Sequence, residues 1–584
     1  MRKNWLLTIL ATGLATSIML ALLSCAGVST SNGGSGSGSI PGGGGGGGTP
    51  PPPSVQFSGV LSWKGDNSRN GLYSGETTLT PTNVNVGQFG KLRAFQADGL
   101  PVAQPLYVSN LDMGTLGKHN VIILATEHNS VYALDADNFS SGPLWQRHYL
   151  DPANGILSLP DNFGGRTTLG GEVGITGTPV IDGATGALYF VTALLHNGVA
   201  EQWIRSIDIR TGNDFGAGSM MIQASVPGDG VASANGQIAF DPSIQNQRTG
   251  LAELNGSIIV PWGSFSDWGT YHGWLMAFDA ATLQLKAVFN SSTQFQANDP
   301  VSGPADHGGG AAFWQGGAAP SIDAAGNIYL IGADGSFNAD QGGKNYGDTL
   351  LKLQLNGSSF TVADWFTPFN QACIDEADLE IGAGGVALLP TDVTGGRKLA
   401  AATNKEGRFF LVNTDTLGNY NAADDDQIPQ EFMIGEHSCT SEISNEAEGT
   451  GWNRLYGNVS YWNGNLYAQA SNLALKQYQF QNGSINPTPV AQSPTASGLR
   501  GGNTVVSANG NQNGIVWAYE KTAQGRGLLH AYDATMVSNE LWNSNMNPGR
   551  DQLGTGIGFM TPVVSNGKVI VTYDFSVAVF GQLQ

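Results

Sequence analysis

Charge is scarce in this chain, and positive charge is scarcest. Lys and Arg number 26 against 46 Asp and Glu, which leaves a net charge of −20 with only 12% of residues charged. A surface that acidic repels phosphate backbones and anionic headgroups, which argues against nucleic acid as a partner. Cysteine is nearly absent at three residues, and no Cys-x-x-Cys-His occurs, so the chain attaches no c-type haem. The eight histidines show no His-x-x-x-His spacing, which removes a common zinc arrangement. Gly-x-Ser-x-Gly and a phosphate-binding loop are missing as well, and with them the serine-hydrolase and P-loop readings. After the first two dozen residues no stretch carries helical periodicity, and none is both long and apolar enough to span a bilayer.

What the chain does have is a repeated phrase. Val131-Tyr132-Ala133-Leu134-Asp135-Ala136-Asp137, with Pro143-Leu144-Trp145 behind it, returns as Ile204-Arg205-Ser206-Ile207-Asp208-Ile209, as Leu275-Met276-Ala277-Phe278-Asp279-Ala280 and as Leu528-Leu529-His530-Ala531-Tyr532-Asp533-Ala534. Weaker copies begin at Leu350, Phe409, Leu475 and Ser576, for eight in all. Small sheets repeated at such intervals make a radial array. The second repeat shows the grammar: an inner strand at 178–181, a Gly-rich turn, a β-branched and aromatic strand at 188–191, an alternating third strand at 204–209, and a fourth expected at 221–226. Other inner strands are expected near Gln104, Leu254, Ala319, Gly384, Gly457, Asn503 and Met560. The last repeat supplies only three strands, at 561–564, 568–573 and 576–581. Lys91-Leu92-Arg93-Ala94-Phe95, upstream of every repeat, is available as its fourth and would close the ring. The fold expected is all-β: an eight-bladed β-propeller of four-stranded antiparallel blades, closed by an N-terminal strand joining the last blade.

Two segments precede this body. Residues 1–24 have the layout of a secretory signal, with Arg2 and Lys3 before an apolar stretch and small Ser24 at its end. Leu22-Leu23-Ser24-Cys25 resembles a bacterial lipobox, which implies acylation of Cys25; Ala26 behind it favours the outer membrane. The other reading is an ordinary signal with an incidental cysteine. Residues 25–55, almost all Gly, Ser, Thr and Pro, bury no apolar surface and read as a tether. The propeller is expected over 56–584, held at the cell envelope by a lipid anchor and monomeric. Cys373 and Cys439 either pair or are each a small buried hydrophobe.

The repeat phrase is similar to that of the quinoprotein alcohol dehydrogenase-like propellers, whose repeats are called PQQ-like. Four stretches carry the likeness further. Gly308-Gly309-Gly310-Ala311-Ala312-Phe313-Trp314 resembles the segment whose tryptophan lies under the quinone. Asp267 falls near that family's carboxylate calcium ligand, with a one-residue shift, and Asp334 falls where it uses Asn. Asp348, in Asn345-Tyr346-Gly347-Asp348, resembles the step carrying the catalytic base. The resemblance implies PQQ and Ca²⁺ as cofactors, with Trp314, Asp267 and Asp334 on the cofactor, Asp267, Asp334 and Asp348 on the metal, and Asp348 as base in the oxidation of an alcohol or sugar. The chain departs from the pattern in three ways. It lacks the vicinal cysteine pair over the quinone, carries Asp at the Asn position, and has Asn404-Lys405-Glu406-Gly407 where Asp-Arg-Asn-Gly is expected.

Other readings stand beside this one. Trp314 beside glycines reads equally as packing between blades, Asp334 as a hairpin residue, and Asp348 as a turn cap. Asp306-His307 is a channel-lining or turn pair, Asp424-Asp425-Asp426 a solvated loop or weak calcium site, and Cys439 lacks the oriented base a catalytic cysteine needs. Three functions therefore remain: a PQQ-dependent dehydrogenase acting on an alcohol or sugar, a non-catalytic envelope scaffold that binds protein or polysaccharide, and a sugar-polymer or small-ligand binder using the aromatic stretch around Asp267.

Overall fold

The computed structural model describes residues 56–165, 171–297, 307–392, 394–435, 439, 453–481, 483–498 and 502–584. The chain divides into units 1–54 and 55–584. The signal segment, Cys25 and nearly all of the tether lie outside the described residues, as do Asp306, His437 and Ser438.

Eight sheets, each with four antiparallel strands at its heart, form the ring, and the last takes its fourth strand from the N-terminal side. The eight third strands are Ser130–Asp135, Val199–Asp208, Trp274–Asp279, Thr349–Asn356, Arg408–Asn413, Ala474–Gln481, Gly527–Asp533 and Ser576–Gln582. Each contains one copy of the repeated phrase. The phrase was legible because a third strand is buried on both faces: Leu275, Met276 and Ala277 are fully enclosed. The core lies between blades. Val191 and Ile204 of the second blade pack with Ile258, Trp262, Trp274 and Met276 of the third, and large flat side chains in that wedge exclude water.

Ring closure follows the expected route. Phe89–Gln96 pairs antiparallel with Ser576–Gln582, from Phe89 opposite Gln582 to Gln96 opposite Ser576. The register shifts between Lys91 and Arg93, so Leu92 is the bulged residue inside a paired strand. One boundary differs from expectation. The fourth strand of the second blade is Asp214–Met221, not 221–226, and Ser225–Pro227 pairs instead with Gln237–Ala239. This outer strand is largely solvated and contains Gly216 and Gly218 at positive φ, so neither alternation nor β-propensity marks it.

The hub was not anticipated. In a radial array every inner strand leaves one edge facing the axis, with unpaired N–H and C=O groups. Residues 57–76 wind around the axis and answer them almost blade by blade. Ser109 N donates to Ser58 O, Ile181 N to Leu61 O, Ile322 N to Asn67 O, Leu388 N to Ser68 O, Tyr461 N to Asn70 O and Val506 N to Gly71 O, at 2.8–2.9 Å. At the eighth blade Gly567 N donates to Glu76 Oε2 at 2.9 Å. Arg69, wholly enclosed, donates to Pro320 O of the fourth blade and to Ser62 Oγ, Trp63 O and Asp66 O of the plug itself. The segment is a plug that stitches the blades from inside.

Candidate functional site

On the face away from the blade hairpins that hold the plug, the loops entering the inner strands and those between second and third strands crowd the axis. Trp314 is carried there by the turn Gln315–Gly317, entering the fourth blade, where Gly316 and Gly317 have positive φ. A side chain at Gly316 would meet Ala383 O at 2.7 Å, which is why the turn needs glycine. Trp314 is half-buried. Its Nε1 donates to Glu380 Oε1 at 3.0 Å, its ring meets Phe559 edge-on at 5.8 Å, and Lys405 Nζ lies 5.2 Å from its centroid. Phe559 holds φ 64° and Gln315 φ 42°. Bulky residues in that conformation store strain, and such strain gathers at functional sites.

Lys405 is the centre of the cluster. Its ammonium bonds Glu380 Oε1 at 2.7 Å and also reaches Asp378, which Arg454 Nη1 binds from the other side at 3.1 Å. Burial by itself would lower the Lys405 pKa. Glu380, Asp378, Asp334 and Asp267 together override that and hold it well above its ordinary value. Burial pushes the tightly coupled Glu380 up to about 8 despite the lysine, whereas Lys405 and Arg454 keep Asp378 below the usual carboxylate range against its own desolvation.

Three of the four residues singled out from the sequence meet here. Asp334 follows the strand Asn327–Gly332; desolvation first, then the charges of Asp267, Glu380 and Asp378, push its pKa well up. Asp267, exposed at φ 55°, is held by Ser264 Oγ at 2.9 Å. Tyr271, buried beside them, has its hydroxyl pKa pushed well up by burial and by the charges of Asp334 and Asp267. Asp348 lies in an enclosed layer next to them: its N–H donates to Ala333 O at 2.8 Å, beside Asp334, its carboxylate accepts from Gln371 Nε2 at 3.3 Å and Ile381 N at 3.4 Å, and burial and the charges of Asp375 and Glu380 push its pKa well up. That layer is tied to the mouth by Asp375, whose Oδ1 accepts from Gly335 N at 2.6 Å.

Cys373 and Cys439 are joined by a disulfide. The short helix Gln371–Glu376 thereby hangs from the residue whose N–H donates to Glu406 Oε1, next to Lys405. The minor candidates are structural: Asp425 Oδ1 caps Phe369 N and Asp424 binds Asn421, while His307 is exposed beside Phe295. Glu380, Asp378, Lys405 and Arg454 were missed in the sequence. The one signal was Lys405 in the stretch that departs from the family pattern.

No protein-family model and no curated protein matches the chain. Solved structures do. The quinohemoprotein alcohol dehydrogenase ADHIIG of Pseudomonas putida aligns over 90% of this chain and 80% of its own with a TM-score of 0.57 at 15% identity. That of Comamonas testosteroni aligns over the same shares with a TM-score of 0.52 at 13%, and a europium-containing methanol dehydrogenase over 90% and 98% with 0.56 at 13%. The fold is that of the quinoprotein alcohol dehydrogenases. Identities this low carry the fold alone.

Do the residues present fit calcium and a quinone? Among the described residues no three His, Cys, Asp or Glu side chains come together as a metal-binding group. Of the three candidate oxygen ligands, Asp267 and Asp334 lie in the field of an ammonium, Lys405, which is itself paired with Glu380 and Asp378 and lies over the indole that would floor the quinone, and Asp348 is fully enclosed. A divalent cation here would have to displace a buried lysine from Glu380 and Asp378. The donor set does not fit calcium, and no step is drawn through the metal or PQQ.

Proposed function

We propose that this chain is an exported, lipid-anchored propeller of the cell envelope that binds a neutral, hydroxyl-rich small molecule of the sugar class at its axial mouth. The observation that carries this reading is the convergence of half-buried Trp314 with Asp334, Asp267 and the Lys405–Glu380 pair. An indole face packs against the C–H face of a sugar ring. Exposed Asp267 accepts from hydroxyls. Asp334, whose pKa desolvation and the neighbouring acids push upward, adds a second carboxyl group to the site. The net acid excess around Trp314 disfavours anions at this mouth. Anchorage at Cys25, the tether and an outer-membrane location belong to the same proposal and rest on the sequence.

Calorimetric titration with a panel of sugars and sugar alcohols tests it. The expected result is binding that weakens about tenfold, or ~1.4 kcal/mol, in Trp314→Ala, with a similar loss in Asp267→Asn. Binding untouched by both substitutions, or none to any member of the panel, would sink the reading. A dehydrogenase reading remains the competitor because of the shared fold and the positions of Trp314, Asp267 and Asp334.

A further inference from the structure

We infer that the hub of the ring, between the plug and the mouth, holds a site for the carboxylate group of a small acid, with Arg248 on the mouth side and Lys64 on the plug side. The inference does not rest on the sugar-binding reading. Among the described residues three basic side chains are buried in the hub without a carboxylate in contact, Arg69, Arg248 and Lys64, and the last two are also poorly hydrogen-bonded. Arg248 is 7% exposed, and its hydrogen bonding amounts to Nη2 to Gly316 O at 3.3 Å; otherwise it leans on the Phe559 ring at 5.9 Å. Glu127 is the acid it feels. That carboxylate accepts from Gly174 N at 2.7 Å and Thr176 Oγ1 at 2.9 Å, and no ion pair joins it to Arg248.

Lys64 is 1% exposed, and its ammonium has only two long contacts, to Asn458 O at 3.5 Å and Val459 O at 3.4 Å, with the Trp63 ring at 5.1 Å. Arg248 is set against the backbone of Gly316 and Lys64 against that of Asn458 and Val459, and these two stretches are neighbours. Trp63 packs on Ala318 and Ala319, next to the Gly316 carbonyl that Arg248 binds. A Cβ on Gly316 would lie 3.3 Å from Tyr456 O, two residues before the Asn458 carbonyl that Lys64 binds. Asn458, 3% exposed, has neither amide atom hydrogen-bonded.

Arg69 shows how this protein treats a buried cation that is purely structural: every nitrogen is bonded to a carbonyl, hydroxyl or amide oxygen. Arg248 and Lys64 are not treated so. A buried charge without a close counter-charge is costly: burial pulls Lys64 down to about 7 and Arg248 down to about 10, and an anion supplied from outside offsets that cost. A carboxylate matches the planar fork of the guanidinium with its two oxygens and accepts further from the ammonium and the Asn458 amide.

The test is calorimetry on the full chain with sodium lactate, using 1,2-propanediol as the neutral analogue and sodium chloride as the ionic control. The wild type is expected to bind lactate and neither control. Arg248→Gln should weaken lactate at least tenfold, Lys64→Met severalfold, and Arg248→Lys less than Arg248→Gln. Lactate binding no tighter than propanediol or chloride overturns the site. So does unchanged affinity in Lys64→Met and Arg248→Lys, the two variants that stand if Arg248→Gln does not fold.

Discussion

Lys405 decides the character of the mouth at the residue scale. Two acids bind its ammonium directly and two more act on it through the field, so it fills the electrostatic role that a divalent cation would otherwise play. Glu127 is a second case in which burial sets the chemistry. Its desolvation, only partly offset by Gly174 N, Thr176 Oγ1 and Arg248, pushes the pKa up to about 7. An acid whose folded pKa is raised binds a proton that the unfolded chain has already lost. Its contribution to stability is therefore complete below about pH 4.5 and gone above about pH 7, a span of roughly 3 kcal/mol. Glu127→Gln should match the wild type in melting temperature near pH 4.5 and exceed it at pH 8; a constant difference across that range contradicts this. Trp314, Asp267 and Asp334 were legible in the sequence because short local stretches carried them. Glu380 was not, since its role exists through contacts distant in sequence, with Trp314 66 residues away and with Lys405. Arg248 and Lys64 were invisible for a related reason: sequence gives no sign that a basic residue is enclosed.

At the scale of elements, two devices hold the ring and the mouth together. The Cys373–Cys439 bond closes a loop across a separation of 66 residues and constrains the unfolded chain by roughly 4 kcal/mol. Because Asp378 and Glu380 follow the helix Gln371–Glu376 directly, reduction should lower the melting temperature and also weaken mouth ligands, and Cys373→Ser should reproduce both effects. A fall in melting temperature with ligand affinity unchanged would confine the disulfide to stability. The plug is the second device. Arg69→Met strips several enclosed acceptors of their donor and should cost about 3 kcal/mol or more, read as a lower urea midpoint; a midpoint within experimental error of wild type would show that the plug adds little. The third strands were readable because they are buried on both faces and so repeat a continuous apolar phrase. The plug was not, because irregular backbone that pairs one residue at a time has neither a period of two nor of 3.6, and its buried Lys64 and Arg69 read as solvated.

In the whole molecule, eight wedges close on themselves through Phe89–Gln96, which completes the last blade, while residues 57–76 meet the inner edges at the hub, so one N-terminal stretch does both. Ring number and closure could be read from the chain because repeats and an orphan strand are patterns. The chemistry at the axis could not, because it arises where loops from separate blades meet. There the shared fold and the local residues diverge: the quinoprotein ring is kept, and its acid cluster carries its own cation. The direct measurement is to mix the full chain, and Lys405→Ala beside it, with Ca²⁺ alone and then with PQQ and Ca²⁺, following Ca²⁺ by calorimetry and the quinone by absorbance and dye reduction with alcohols and sugars. The account predicts no Ca²⁺ uptake at the mouth of the wild type and Ca²⁺ binding gained in Lys405→Ala. Stoichiometric Ca²⁺ and quinone bound by the wild type, with dye reduction lost in Asp334→Asn, would contradict it.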